Sequence, residues 1–353
     1  MEIREYPVPE PEPGAVLIRV SVANICGSDL HIWRGDMNLG RSGPSVPIVL
    51  GHEMTGRVAK LGEGISTDSA GQPLAIGDRV VYPYFYSCGR CPACLKGDHA
   101  ACPRNMFFAR PAESPPHFAG AFADYYYLRP NHTIFKVPDD LSDKVVASVN
   151  CALSQVIYGL EKVNLKFGET IVIQGAGGLG INAIAVAKEM GAHRVIVIDG
   201  ITQRLELAGA FGADELIDMR QFKTSQERVQ RVKELTGGWG ADVVAELVGF
   251  PGVLPEGLDM LCRGGRCLEM GNVSPLHGTF EIDPARLVMS SKTIFCVAMY
   301  GRDTLKKALN FLSRAKDKYP FDKILSRSYP LEEINKAFEE QDKGLVSRAA
   351  IVL

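Results

Sequence analysis

The sequence predicts an α/β protein in two parts, a β-rich N-terminal region followed by a doubly wound parallel sheet. Three observations lead there. From about Ser148 onward, short apolar runs alternate with helical periods, the pattern that lays parallel strands between crossover helices. A G-x-G-x-x-G run, Gly175-Ala-Gly177-Gly178-Leu179-Gly180, sits between the first such strand and the first such helix. Before Ser148, prolines and glycines interrupt every helical period, which favours short strands in a barrel-like arrangement.

Taken in order, residues 16–22 have strand composition, 47–50 form a short apolar run ending at Gly51-His52-Glu53, 78–82 read as a strand, and 120–128 carry three consecutive tyrosines. Residues 103–118 are a proline-rich excursion expected to be a surface loop. The second part predicts strands at 170–174, 194–198, 215–218, 242–248, 266–270 and 293–298, with helices at 178–190, 202–211, 225–236 and 252–262. The tail predicts helices at 303–315 and 331–340 and a last strand at 349–353.

Bulk properties bound the function. A chain of 353 residues suggests about two domains. A net charge of −2 leaves no electrostatic footprint for nucleic acid or anionic lipid. The N-terminal stretch MEIREYPVPEPEPG lacks the apolar core of a secretory signal, and no run approaches the ~18 apolar residues of a membrane span. Nine cysteines, an odd number set mostly in metal-like or strand contexts, imply a reducing compartment, and so a cytoplasmic protein.

Four of those cysteines, Cys88, Cys91, Cys94 and Cys102, fall within fifteen residues in the spacing C-x2-C-x2-C-x7-C. Tight turns at two-residue gaps present sulfurs side by side, and four soft ligands with no place for water describe a closed, structural zinc site. At Gly175–Gly180 the first glycine allows a tight turn, the second lets backbone approach a pyrophosphate, and the third lets the helix pack closely. The helix N-terminus then offers unsatisfied N–H groups to phosphate. Asp199 ends the next strand, twenty-four residues after Gly175, where a carboxylate accepts from ribose hydroxyls and repels a 2′-phosphate, favouring NAD over NADP. Cys26, His52, Glu53 and Cys151 are further metal-ligand types, but spacing alone does not unite them: a lone histidine after a strand, or a lone cysteine, is as readily a structural residue.

The segments ICGSDLH (25–31), GHEMTGRV (51–58), the four-cysteine lobe, GAFADY (120–125), NCALSQ (150–155) and GAGGLG (175–180) together resemble the zinc-dependent alcohol dehydrogenases of the medium-chain dehydrogenase/reductase family, over nearly the whole chain. The resemblance implies a GroES-like β-rich catalytic domain at 1–151 and 298–353, carrying a structural-zinc lobe at about 86–104, and a Rossmann NAD-binding domain with a six-stranded parallel sheet at 152–297. It implies two zinc ions: a catalytic one on Cys26, His52 and Cys151, with Glu53 close enough to exchange as a ligand, and a structural one on the lobe. Asp29 would orient His52, Ser28 would contact the reacting oxygen, and His31 would end a proton relay running through the nicotinamide ribose. Arg204 matches a basic position beside the adenosine ribose, Arg348 one that contacts pyrophosphate, and Gly271 a cofactor-lining glycine. The activity implied is hydride transfer between a primary or secondary alcohol and NAD, giving aldehyde or ketone, in a homotetramer or homodimer. A polyol, sugar or amino-alcohol substrate, and a non-catalytic zinc- and nucleotide-binding redox sensor, are the alternatives.

The chain departs from the family at two places. Relatives carry an extra strand before the segment matching 2–8, and some place a basic residue where this chain has Gly27, which implies a weaker hold on the cofactor. By resemblance the pocket wall includes Trp33, Tyr84, Phe85, Met299 and Tyr300. Arg34, Arg41 and Arg110 are candidates to meet an anionic substrate, though isolated arginines are usually solvated. His99 is expected in a solvated loop, and Cys262, Cys267 and Cys296 as packing residues. His117, His132, His193 and His277 are expected at the surface or in turns.

Overall fold

The structure is a computed structural model that describes residues 1–37, 46–104, 110–274 and 278–353; Arg41 and His277 lie outside the described residues. The chain divides into two compact units. The first is Met1–Ser154, Gly301–Asp317 and Phe321–Leu353; the second is Gln155–Tyr300 with Lys318–Pro320.

The first unit is built on strands β1 (Val16–Asn24), β2 (Glu53–Leu61), β3 (Arg79–Val81), β4 (Tyr125–Leu128) and β5 (Phe135–Lys136), completed from the tail by β12 (Arg327–Pro330) and β13 (Ala349–Val352). Its sheet runs β12-β13-β1-β2-β3-β5, with β4 also on β1. β1 is central: it pairs antiparallel with β2 along its length, with β4 at Val16–Arg19 and with β13 at Val22–Asn24. All of its side chains but Arg19 and Ser21 are buried, so the strand is largely covered on both faces. The helix Thr304–Ala315 buries Leu305, Ala308, Leu309, Leu312 and Ala315, the i, i+3, i+4 stripe of an amphipathic helix.

The second unit holds β6 (Thr170–Gln174), β7 (Arg194–Asp199), β8 (Glu215–Asp218), β9 (Ala241–Glu246), β10 (Leu261–Glu269) and β11 (Thr293–Cys296). They form a parallel six-stranded sheet in the order β11-β10-β9-β6-β7-β8. The order reverses between β6 and β9, and a ligand binds outside the carboxyl ends of the strands at such a switch point. Valines and isoleucines of β6, β7 and β9 are fully buried, since crossover helices cover both faces. Local signals agree: the helix Ser225–Leu235 starts with a capping box, in which Thr224 Oγ1 accepts from Glu227 N at 3.2 Å and Glu227 Oε2 accepts from Thr224 N at 2.8 Å.

Several elements differ from expectation. The helices Gly27–Arg34, Ser154–Lys162 and Pro284–Ser290 and the strand β12 have no counterpart in the sequence reading. The run at 47–50 makes only an isolated bridge, Ile48 to Pro111. His132 sits in a turn as expected, its N–H donating to Arg129 O at 3.2 Å, and is half-buried against the rings of Tyr82 and Tyr86, with Nε2 2.8 Å from Pro83 O; desolvation of the ring pushes its pKa down to about 4. One side-chain placement is corrected. Cys296 is exposed rather than packed, because β11 is the sheet's edge strand. Cys262 and Cys267 are buried as expected.

Candidate active site

In the first unit, Cys26 follows β1 and caps the helix Gly27–Arg34, where its N–H donates to Asp29 Oδ2 at 2.9 Å. An acid at the third helical position satisfies one of the orphan donors there and fixes the turn that presents the Cys26 sulfur. The other oxygen of Asp29 lies 3.0 Å from His52 Nδ1, with both side chains buried. That bond leaves Nε2 with its lone pair directed away from Asp29. The turn ahead of His52 is held by Ala121 N donating to Gly51 O and Phe122 N to Leu50 O, both at 3.0 Å, which gives the GAFADY segment its structural purpose. Cys151 comes from one π-helical turn, Val149–Leu153, that opens into the helix Ser154–Lys162. Such local widenings of a helix recur at functional sites.

These three segments converge. The ligand atoms of Cys26, His52 and Cys151 all lie within 4.8 Å of one another. Two sulfurs and one imidazole nitrogen at that separation suit a zinc ion with three protein ligands and an open fourth position. The electrostatics point the same way. A hydrogen bond from the Cys151 thiol, with His52 opposite, holds Cys26 well below the ordinary thiol range, and the same bond pushes Cys151 well above it. Burial alone would lower the pKa of His52, yet the Asp29 and Cys26 charges raise it. The site therefore already carries thiolate character for a cation.

Glu53 is not within that group. Its Oε2 is ion-paired with Arg348, and Asn24 Nδ2 stands at 3.5 Å; its Oε1 is buried without a partner among the described residues. Burial pushes the Glu53 carboxyl up to about 7 against the pull of the Arg348 guanidinium. Arg348, expected on a pyrophosphate, is itself buried and engaged with Glu53. Ser28 Oγ lies 3.2 Å from His52 Nε2, and His31 Nδ1 lies 3.3 Å from Asp36 Oδ2. Tyr84 stands edge-on to His52 at 5.0 Å and Phe85 packs on Tyr84, whereas Trp33 packs on Phe338. Met299 and Tyr300 belong to the second unit. Arg34 is ion-paired with Asp342, so it does not stand free for an anionic substrate; Arg110 is half-buried.

The lobe brings its four sulfurs together: Cys91 to Cys94 at 3.4 Å, Cys91 to Cys102 at 3.8 Å and Cys102 to Cys88 at 3.6 Å. A tetrahedral ion with bonds of ~2.3 Å to sulfur requires edges near ~3.8 Å, so the set fits zinc closely. Backbone N–H donation, foremost from Arg90, lowers Cys88 to about 6. His99 stays outside the cluster, with Nδ1 3.0 Å from Ser87 Oγ.

In the second unit the glycine loop joins β6 to the helix Gly178–Glu189. Gly175 adopts φ +91°, which a side chain would strain. At Gly180 a Cβ would fall 1.9 Å from Gly175 O, while at Gly177 it would meet nothing within 4 Å. The last and first glycines thus serve the fold, and the middle one leaves space. Leu179 lies in the first turn of that helix. Asp199 is buried, with Oδ2 accepting from Ala176 N at 2.7 Å and Oδ1 from Ile201 N at 2.8 Å, and Arg204 is 3.9 Å away. A carboxylate has about four acceptor sites, so two remain for ligand hydroxyls. Gly271 follows β10, where a Cβ would meet Glu246 Oε2 and Gly249 N at 2.4 Å.

Two features escaped the sequence reading. Asn150, beside Cys151, ties that turn to Met54 on β2 and to Tyr82 just past β3; its only signal was adjacency to a candidate ligand. Glu246 and Glu269 end adjacent strands in register, and an acid closing an otherwise apolar strand was the available signal.

Known proteins give the same picture. Residues 12–139 match the alcohol dehydrogenase GroES-like domain family, and residues 178–314 the zinc-binding dehydrogenase family. The chain is 32% identical to 5-exo-hydroxycamphor dehydrogenase of Pseudomonas putida, over 99% of this chain and 95% of that protein. It is 33% identical to sorbitol dehydrogenase of Bacillus subtilis, over 96% of this chain and 90% of that one. The solved structure of an alcohol dehydrogenase from Thermotoga maritima superposes with a TM-score of 0.90 at 29% identity, covering 99% of this chain and 94% of that one. With its two sheets, its cysteine cluster and its glycine loop, the chain belongs to the zinc-type alcohol dehydrogenases of the medium-chain dehydrogenase/reductase family.

Proposed function

We propose that the protein oxidises a primary or secondary alcohol with NAD, or reduces the matching carbonyl, and that the first unit is catalytic while the second binds the dinucleotide. The observation that carries this reading is the convergence of Cys26, His52 and Cys151 within 4.8 Å. Cys26, His52 and Cys151 would hold a zinc ion, which would supply the Lewis acidity that lowers the pKa of an alcohol hydroxyl. Asp29 fixes the His52 tautomer so that Nε2 is the ligand atom. Ser28 Oγ, 3.2 Å from His52 Nε2, would relay the proton, accepting from the substrate hydroxyl while donating its own hydrogen onward. His31, half-buried beside Asp36, is placed to pass a proton to solvent. Tyr84 against His52 gives the site an aromatic wall, which favours a substrate with an apolar body. Glu53, Oε1 unpartnered, is the reserve ligand if its carboxylate leaves Arg348.

For the cofactor, Gly177 leaves the space for pyrophosphate at the N-terminus of the helix Gly178–Glu189, whose first residue is Gly178. Asp199 receives the ribose, with Arg204 beside it. The reading includes a second, structural zinc on the lobe, a cytoplasmic location, and a homo-oligomer paired through the edge strand β11. Among the described residues no helix is long and apolar enough to cross a membrane.

The test is NADH formation against a panel of primary, secondary, cyclic and polyol alcohols. Cys26→Ser should reduce turnover with the best alcohol by at least ~100-fold, leave NADH binding intact, and lower bound zinc from two ions per chain to one. Full activity in that variant would sink the assignment.

A further inference from the structure

Asn150 is completely buried one residue before Cys151, and its side-chain amide reaches in two directions at once. Oδ1 accepts from Met54 N at 3.2 Å, two residues beyond His52 on β2. Nδ2 donates to Tyr82 O at 3.0 Å, just past β3 and two residues before the Tyr84 ring that stands on His52. Met54 and Tyr82 are themselves fully buried. The turn that bears Cys151 is closed on its far side by Ser154 Oγ donating to Val149 O at 2.6 Å.

We propose that Asn150 is a positioning residue for the catalytic metal: its amide sets the separation between the Cys151 sulfur and the His52 imidazole. The proposal rests on the reading that Cys26, His52 and Cys151 hold zinc. The requirement is specific to an amide. One group must accept from a backbone N–H and donate to a backbone carbonyl about one side-chain length away, in a fully buried position where an unmet polar group is costly. An ionised aspartate loses the donor, leucine loses both, and a serine hydroxyl is too short. The Cys151 sulfur sits on a single π-helical turn rather than within a continuous α-helix, and the Asn150 amide is the side-chain tether from that turn to Met54 and Tyr82. Asp29 plays the matching part for His52 and Cys26. Between them the two residues link all three ligands.

The experiment compares the zinc-loaded wild-type chain with Asn150→Ala and Asn150→Asp by chelator competition, with the lobe zinc as an internal reference. Cobalt(II) replacement then reads the thiolate-to-metal absorption. Both variants should release the catalytic zinc with a Kd ~10–100-fold weaker, hold the lobe zinc as the wild type does, shift the cobalt spectrum, and regain turnover in excess zinc. If Asn150→Ala fails to fold, Asn150→Asp still carries the test, because it keeps the acceptor for Met54. Unchanged affinity and spectrum in a wild-type-like two-zinc protein would overturn the proposal alone, as would parallel weakening at both sites. A wild-type chain holding one zinc would instead overturn the metal reading, and the proposal with it.

Discussion

The loop glycines do not all do the same work, and a methyl group separates the role of Gly180 from that of Gly177. At Gly180 a Cβ would sit 1.9 Å from a backbone oxygen of the same loop, so the chain itself must move. At Gly177 nothing of the protein lies within 4 Å, and φ there is an ordinary −74°. Gly180→Ala should therefore destabilise the protein by about 1–3 kcal/mol. Gly177→Ala should melt like the wild type yet bind NADH at least ~10-fold more weakly, because the methyl occupies space kept for pyrophosphate. Thermal unfolding and NADH fluorescence titration read both; wild-type affinity in Gly177→Ala would remove the loop from the cofactor site. At this scale the sequence was informative where chemistry recurs in a fixed spacing, as in the lobe cysteines and the glycine run. It was uninformative about how buried polar groups are shared. Arg348 reads as a phosphate contact, and the structure engages it with Glu53. His132 reads as a turn residue and is one, but nothing in the sequence shows that its ring is half-buried against two tyrosines with Nε2 on Pro83 O.

Among the elements, the strands of the parallel sheet were the most legible, because burial on both faces writes them as continuous apolar runs. β6 and β8 fall where expected, and β10 begins earlier than expected because its Gly264-Gly265 irregularity reads as a turn: Leu261 pairs with Ala241 and the ladder resumes at Arg266 and Val243. The helix Gly27–Arg34 fully buries only Asp29 and Leu30, and the helix Pro284–Ser290 has only Leu287 half-buried against the core, so neither leaves an apolar period to detect. The carboxyl ends of the strands hold a feature that appears only in register. Gln174, Glu246, Glu269 and Cys296 stand side by side across β6, β9, β10 and β11. Glu246 accepts from Val248 N and Gly249 N, and Asn272 Nδ2 bridges to Glu269. Burial first, and the Glu269 charge second, push Glu246 up to about 8. The folded state thus holds a proton between pH ~4.5 and ~8 that the unfolded chain releases, and the associated stability, complete below ~4.5, is lost as pH rises through 8. Glu269→Gln removes the opposing charge. The variant should lose about 1–2 kcal/mol less stability than the wild type between pH 5 and pH 9 in urea titrations. Equal losses would mean that burial alone holds the proton.

For the molecule as a whole, the division into two units, each with its own sheet, makes the lobe an independent question. The segment from Cys88 to Cys102 has almost no hydrocarbon core: its buried cluster is Cys91, Cys94 and Cys102, with Cys88 and Ala93 against it, and Leu95 is 76% exposed. Its one helix, Pro92–Leu95, is a single turn, too short to stand without support. A segment that cannot bury enough apolar surface to offset its ordering entropy takes its folding energy from the metal. The strands of the two sheets pair without it. Cys94→Ser should therefore remove one zinc per chain and expose Arg90 and Lys96 to trypsin, while NADH binding and the zinc on Cys26, His52 and Cys151 persist. Metal analysis combined with limited proteolysis checks this. Loss of both zinc ions together would show that the lobe's order reaches the catalytic ligands, and that a site whose spacing marks it as closed still controls the open one.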